Sequence, residues 1–79
     1  MTYELNYIRN VFKLLNRINK LELLETSNLK NREIELLTKR FINGETLKEC
    51  AEYFGIEEDS VNKAQLKAVK KLYQYLKYT

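Results

Sequence analysis

Thr46-Leu47-Lys48-Glu49-Cys50-Ala51-Glu52-Tyr53-Phe54-Gly55-Ile56-Glu57-Glu58-Asp59-Ser60-Val61 reads as two helices pinned by one tight turn, the helix-turn-helix pattern. Thr46 and Glu49, three residues apart, make a capping box, in which hydroxyl and carboxylate satisfy backbone donors left open at a helix start. A helix is therefore predicted to begin at Leu47. Leu47, Cys50, Ala51 and Phe54 recur at helical spacing as one apolar stripe, and Ala51 is small enough to let a second helix cross close by. Gly55 ends that helix, because a residue without Cβ takes the left-handed C-terminal conformation at little cost. Ile56 is expected to plug the turn from inside, and Val61 to start the buried face of the next helix. Spacing alone leaves two readings open: a DNA-binding unit whose second helix enters a groove, or an ordinary helical hairpin of a small bundle.

Outward from this stretch, punctuation is sparse. With 79 residues, no Pro and two Gly, the chain is predicted to be a single domain over residues 1–79. The expected class is all-α, with four helices of which the N-terminal and C-terminal ones are long. The first helix is predicted from about Thr2 to Leu24. Leu5, Ile8, Phe12 and Leu15 form one apolar row, and Tyr7, Val11, Leu14, Ile18 and Leu21 form a second beside it. So broad a face suits burial on two sides, which makes residues 1–25 a candidate surface for a partner or a homodimer; the alternative is a small domain wrapped around this helix. Glu25-Thr26-Ser27-Asn28 breaks the pattern and supplies a short connection.

The next helix is predicted from Leu29 or Lys30 to Ile42, with Ile34, Leu37 and Phe41 inward and Arg32, Glu35, Lys39 and Arg40 outward. Asn43-Gly44-Glu45 then reverses the chain before the Thr46 cap. The last helix starts near Glu58 and meets no breaker. Val61, Ala64, Ala68, Leu72 and Tyr75 lie along one side, and Leu66, Val69, Tyr73 and Leu76 form a second row. The exposed arc near its start holds Glu58, Asp59, Asn62, Lys63 and Lys67, the side chains a groove would meet. Tyr73, Tyr75 and Tyr78 suit helix packing or partner contact better than base stacking.

Composition narrows the chemistry. No His and a single Cys exclude a zinc site, a Cys/His nucleophile and an intrachain disulfide. Cys50, on the apolar stripe, is expected to be a small buried hydrophobe. No acid/base pair is assembled from carboxylates spread over exposed helix faces, so neither an enzyme nor a cofactor is expected. The absence of a signal peptide or an apolar run of membrane-spanning length leads to the expectation of a cytoplasmic protein that does not engage a membrane. The net charge of +3 is unevenly spread: five acids face Lys48 between Thr46 and Asn62, whereas Lys63, Lys67, Lys70, Lys71 and Lys77 follow with no acid among them. An acidic block before a basic helix suits a nucleic-acid surface, a protein partner, or a solvated helix favoured by its own dipole.

Taken together, Leu29-Lys30-Asn31-Arg32-Glu33-Ile34-Glu35-Leu36-Leu37, Arg40-Phe41, Gly44, Thr46-Leu47-Lys48-Glu49-Cys50-Ala51, Phe54-Gly55-Ile56, Val61 and Ala68-Val69-Lys70-Lys71-Leu72 resemble region 4 of bacterial sigma factors, without gaps from Leu29 to Leu72. The resemblance implies a sequence-specific transcription regulator that binds double-stranded, promoter-like DNA at the −35 element through the helix beginning near Glu58. It also implies a second face that docks on the flap of the RNA polymerase β subunit. Carried over by position, the base-reading places fall on Glu58, Asp59, Asn62 and Lys63, and the phosphate-holding places on Arg32, Lys67 and the start of the scaffold helix at Thr46 and Leu47. Lys70 and Lys71 are further cations available to phosphates.

The chain departs from the family pattern in two ways. Where housekeeping factors have an Arg that pairs bidentately with guanine, Glu58 can only accept, as from cytosine N4. Lys30 and Glu57 stand where the family has a capping Thr or Ser. The chain also lacks room for the region that reads the −10 element. It is therefore expected to be a fragment of a longer factor or a stand-alone region-4-like protein of the kind found in phages and mobile elements. A different class of function stays open beside this one: a protein-interaction module that occupies polymerase or another sigma subunit, or that dimerises, without binding DNA tightly by itself.

Overall fold

The computed structural model describes residues 3–78, and all regular structure among them is helical. Five helices follow in order: α1 Tyr3–Lys13, α2 Arg17–Thr26, α3 Asn31–Leu37, α4 Leu47–Phe54 and α5 Glu58–Tyr78. A π-helical turn, Thr38–Ile42, continues α3. The all-α class is as expected; the count of four is not.

The difference lies in the N-terminal third, where one long helix is replaced by α1 and α2. The expected first residue, Thr2, lies outside the described residues. Asn16 causes the break: its side-chain oxygen accepts from the Asn19 N–H at 2.8 Å with extended backbone, so it caps a new helix rather than continuing the old one. The two apolar rows are consequently never one face. Leu5, Ile8 and Phe12 enter the core, whereas Leu14 is 87 % and Ile18 68 % exposed. Tyr7 packs edge-on against Tyr73 with ring centroids 5.0 Å apart. The connection after α2 is also shorter than expected, since Glu25 and Thr26 are still helical and the turn is Ser27–Lys30, with Asn28 in the left-handed region (φ 54°).

At the start of α3 the Lys30 ammonium has no oxygen to accept with. Glu33 supplies the other half of a capping box, its carboxylate accepting from the Lys30 N–H at 2.9 Å. Burial opposes the charge of Glu33, but the Lys30 N–H and the Lys71 ammonium overcome it and hold its pKa below the usual carboxylate value. The stabilisation that follows is present at neutral pH and is lost on acidification through that lowered pKa.

Two apolar cores result. The larger joins Leu5, Ile8 and Phe12 of α1, Leu24 of α2, Leu37 of α3 and Ala68, Val69 and Leu72 of α5. The smaller joins Leu36, Cys50, Ala51 and Val61, with Leu47 and Phe54 against it. The long helix α5 belongs to both, and between them lies a polar chain that spacing did not announce. Gln65 is buried where Ala64 was expected, and its amide oxygen accepts from the Arg40 Nε at 2.6 Å. Arg40 also donates to the Glu45 carbonyl, and Lys39 pairs with the Glu45 carboxylate at 3.4 Å. Lys39 and Arg40 thus turn partly inward, not outward, because the π turn carries both towards the Asn43–Glu45 reversal.

The capping box before α4 is present in both halves: the Glu49 N–H donates to the Thr46 Oγ1 at 3.1 Å, and the Thr46 N–H donates to Glu49 Oε1 at 2.8 Å. The Thr46 N–H, and after it the Thr46 hydroxyl, hold the pKa of the exposed Glu49 carboxyl below its ordinary value. Thr46→Ala is expected to lower stability by about 1 kcal/mol, with a range of about 0.5–2, measurable by urea unfolding. Gly55 ends α4 in the left-handed region (φ 68°), and the Ile56 N–H donates to the Ala51 carbonyl at 3.1 Å.

Candidate nucleic-acid interface

The start of α5 stands on α4. Val61 points back into the smaller core against Cys50 and Ala51, which fixes the roll of α5 about its axis. With 3.6 residues per turn, that roll turns Asp59, Lys63, Lys67 and Lys70 to the side away from the core. Glu58, Asp59, Asn62, Lys63, Lys67 and Lys70 are all exposed. The residues expected to read bases therefore share one open surface over the first turn and a half of α5.

Asn62 differs from its neighbours. Its side-chain oxygen accepts from Gln65 Nε2 at 3.4 Å, which leaves the amide NH2 free to donate outward. Gln65 in turn is held by Arg40, so the orientation of Asn62 is set from the π turn through the middle of the domain. Only the exposure of Asn62 follows from helical period; the supporting pair Gln65 and Arg40 was missed. The spacing of Gln65, four residues after Val61 and three before Ala68, is the signal that could have found it, since a polar group on that side of the helix requires a partner.

The expected phosphate-holding residues divide. Arg32, from α3, and Lys67, from α5, line the same hollow and make no ion pair among the described residues. The Arg32 guanidinium lies 5.3 Å from the centroid of the Phe54 ring, a cation–π contact. Lys71 lines the hollow too, but its ammonium is 3.0 Å from a Glu33 carboxylate oxygen and so is already neutralised. Lys70 projects freely. Thr46 engages both its N–H and its hydroxyl oxygen in the capping box, and a phosphate at that end of α4 would meet the Glu49 carboxylate.

The acids Glu57, Glu58 and Asp59 are exposed and make no ion pair among the described residues. They surround the N-terminus of α5, whose dipole they complement. Ile56 does not plug the turn; it is 38 % exposed, because the left-handed Gly55 turns the chain outward before α5 begins. Cys50 is buried as expected, and burial pushes its thiol pKa up, away from the thiolate that a nucleophile requires. Among the described residues no three His, Cys, Asp or Glu side chains come together to hold a metal, and no helix is long and apolar enough to cross a membrane.

No protein-family model matches this chain, and no curated protein or solved structure does either.

Proposed function

We propose that the chain is a DNA-binding transcription regulator of the sigma region 4 kind, acting in the cytoplasm on promoter-like duplexes together with RNA polymerase. The observation that carries this reading is the open face of α5 on which Asn62 and Lys63 stand side by side, rigidly backed by α4, with Arg32 and Lys67 unpaired at its flank. An α-helix fits the major groove, where an amide and an ammonium at adjacent positions can read base edges, while unpaired cations beside it meet phosphates. No catalytic step belongs to this reading.

The test is a mobility shift against a promoter library over a salt series. Asn62→Ala and Lys63→Ala are each expected to lower affinity for the preferred site by about 1–3 kcal/mol and to flatten the preference. Lys67→Ala is expected to weaken all duplexes alike and to reduce the salt slope by about 1. Failure to bind any duplex at about 50 mM salt, alone or with polymerase, would count decisively against the reading.

One observation favours a second reading as a protein-interaction module. Leu14 and Ile18, the apolar residues around the α1–α2 turn, stand in solvent, as an adaptor surface for polymerase, another sigma subunit or a second copy would. Retention of polymerase in the absence of DNA supports it, and loss of that retention in Leu14→Ser with Ile18→Ser ties it to this turn. A monomer by sedimentation at high concentration removes the dimer form.

A further inference from the structure

Between α3, α4 and the first half of α5 lies a hollow of about 240 Å³. Its floor is apolar, built from Leu36, Phe54, Ile56 and Val61, and its lip carries Lys30, Arg32 and Lys67. Leu36 and Val61 are sealed by the helices around them, but Phe54 is only half-buried and Ile56 is 38 % exposed, so apolar surface remains open to water here. Ala64, which faces the hollow from α5, is too small to fill it. Of the charges nearby, Glu33 is already neutralised by Lys71 at 3.0 Å and holds the Lys30 N–H at 2.9 Å. Among the described residues Lys30, Arg32 and Lys67 make no ion pair, so the lip keeps three cations, of which Arg32 is held at the edge by the Phe54 ring.

We propose that this hollow binds a small amphiphilic anion, a monocarboxylate with a short alkyl or aryl body. The body covers Phe54 and Ile56, and the carboxylate sits between Arg32 and Lys67, where the guanidinium offers a two-pronged donor and the ammonium a compact charge. Each half of the site excludes a different ligand. A neutral apolar molecule would forgo the charge-assisted bonds that the lip cations offer, and a bare inorganic anion would leave the apolar floor wet. The volume lies just below the range of about 300–1,000 Å³ typical of drug-sized ligands, which matches a molecule of this small size. Binding of such an anion needs no duplex. Where both hold, ligand and DNA exclude each other, because they draw on the same two cations.

Titration of the full chain, free of DNA, with octanoate tests the proposal through amide NMR spectra; octanamide is the uncharged control and acetate the control without a body. The expected result is saturable shifts at the amides of Arg32, Phe54, Ile56 and Ala64 with a Kd of about 1 mM or tighter. Octanamide and acetate are each expected to bind at least about tenfold more weakly. The double variant Arg32→Gln/Lys67→Gln is expected to lose about tenfold or more while keeping the spectrum of a folded chain, since neither side chain is in a core. Shifts centred on Leu14 and Ile18 instead, equal affinity for octanamide, an undiminished affinity in the double variant, or no saturable shift by about 10 mM would each overturn it.

Discussion

Leu72→Ala is expected to lower the thermal midpoint of unfolding by about 10–30 °C, whereas Leu14→Ala leaves it nearly unchanged. Leu72 is fully buried in the larger core, so shortening it removes apolar contact and leaves a cavity, for about 2–5 kcal/mol. A chain of this length holds about 4–12 kcal/mol in all, from about 0.05–0.15 kcal/mol per residue. One substitution thus takes a large share of the stability. Because α5 runs through both cores, loss of its grip on α1 also loosens the support behind α4, and one cooperative transition is expected rather than two. Leu14, at 87 % exposure, has little contact to lose, and its change should stay within about 0.5 kcal/mol. Far-ultraviolet melting curves of the two variants decide the matter. A Leu14→Ala variant that melts as low as Leu72→Ala would mean that the α1–α2 turn is packed against something, as in a dimer.

The contrast between those leucines also marks what could be read from the chain beforehand. Thr46, Glu49 and Gly55 act through bonds to neighbours within a few residues, so their roles are visible in local spacing, and the helix-turn-helix they bound is where it was expected. Helical period likewise put Val61, Ala68 and Leu72 inward and Asn62 and Lys63 outward. Period misleads at Asn16, because Leu14, Leu15 and Ile18 keep an apolar rhythm across a residue that serves equally as a helical position or as a cap. Which role wins depends on whether α2 can fold back to bring Leu24 against α1, α3 and α5, a tertiary matter. The candidate site divides in the same way. Exposure was legible, but the bond that holds Gln65 comes from Arg40, 25 residues away, and the ion pair that neutralises Lys71 comes from Glu33, 38 residues away. No local pattern encodes such partners, and nothing in the composition of Thr38–Ile42 marks a π turn.

Neutralising the acids at the entrance to α5 is expected to tighten DNA binding about tenfold at low salt while making the fold slightly less stable. Glu57, Glu58 and Asp59 would face the duplex from the same end of α5 as Lys63. At about 10 Å in water one such charge and a phosphate repel by about 0.4 kcal/mol, so three together oppose binding by a little over 1 kcal/mol. The combined variant Glu57→Gln/Glu58→Gln/Asp59→Asn removes this, and the gain should vanish as salt shortens the screening length from about 10 Å at 0.1 M towards about 3 Å at 1 M. The same acids favour the positive end of the α5 dipole by about 0.3–1 kcal/mol each where they lie in its first turn, as Glu58 and Asp59 do, so the melting point should fall by several degrees. Retaining Glu58 while changing the other two separates repulsion from recognition: if Glu58 accepts from cytosine, this second variant keeps the preferred site and the triple variant shifts it, because Gln pairs with adenine instead. Mobility shifts and melting curves on the same preparations give both readings. A variant that melts lower but binds every duplex no better would show that the acids serve the helix start alone and that no phosphate comes near them, which removes α5 from the groove.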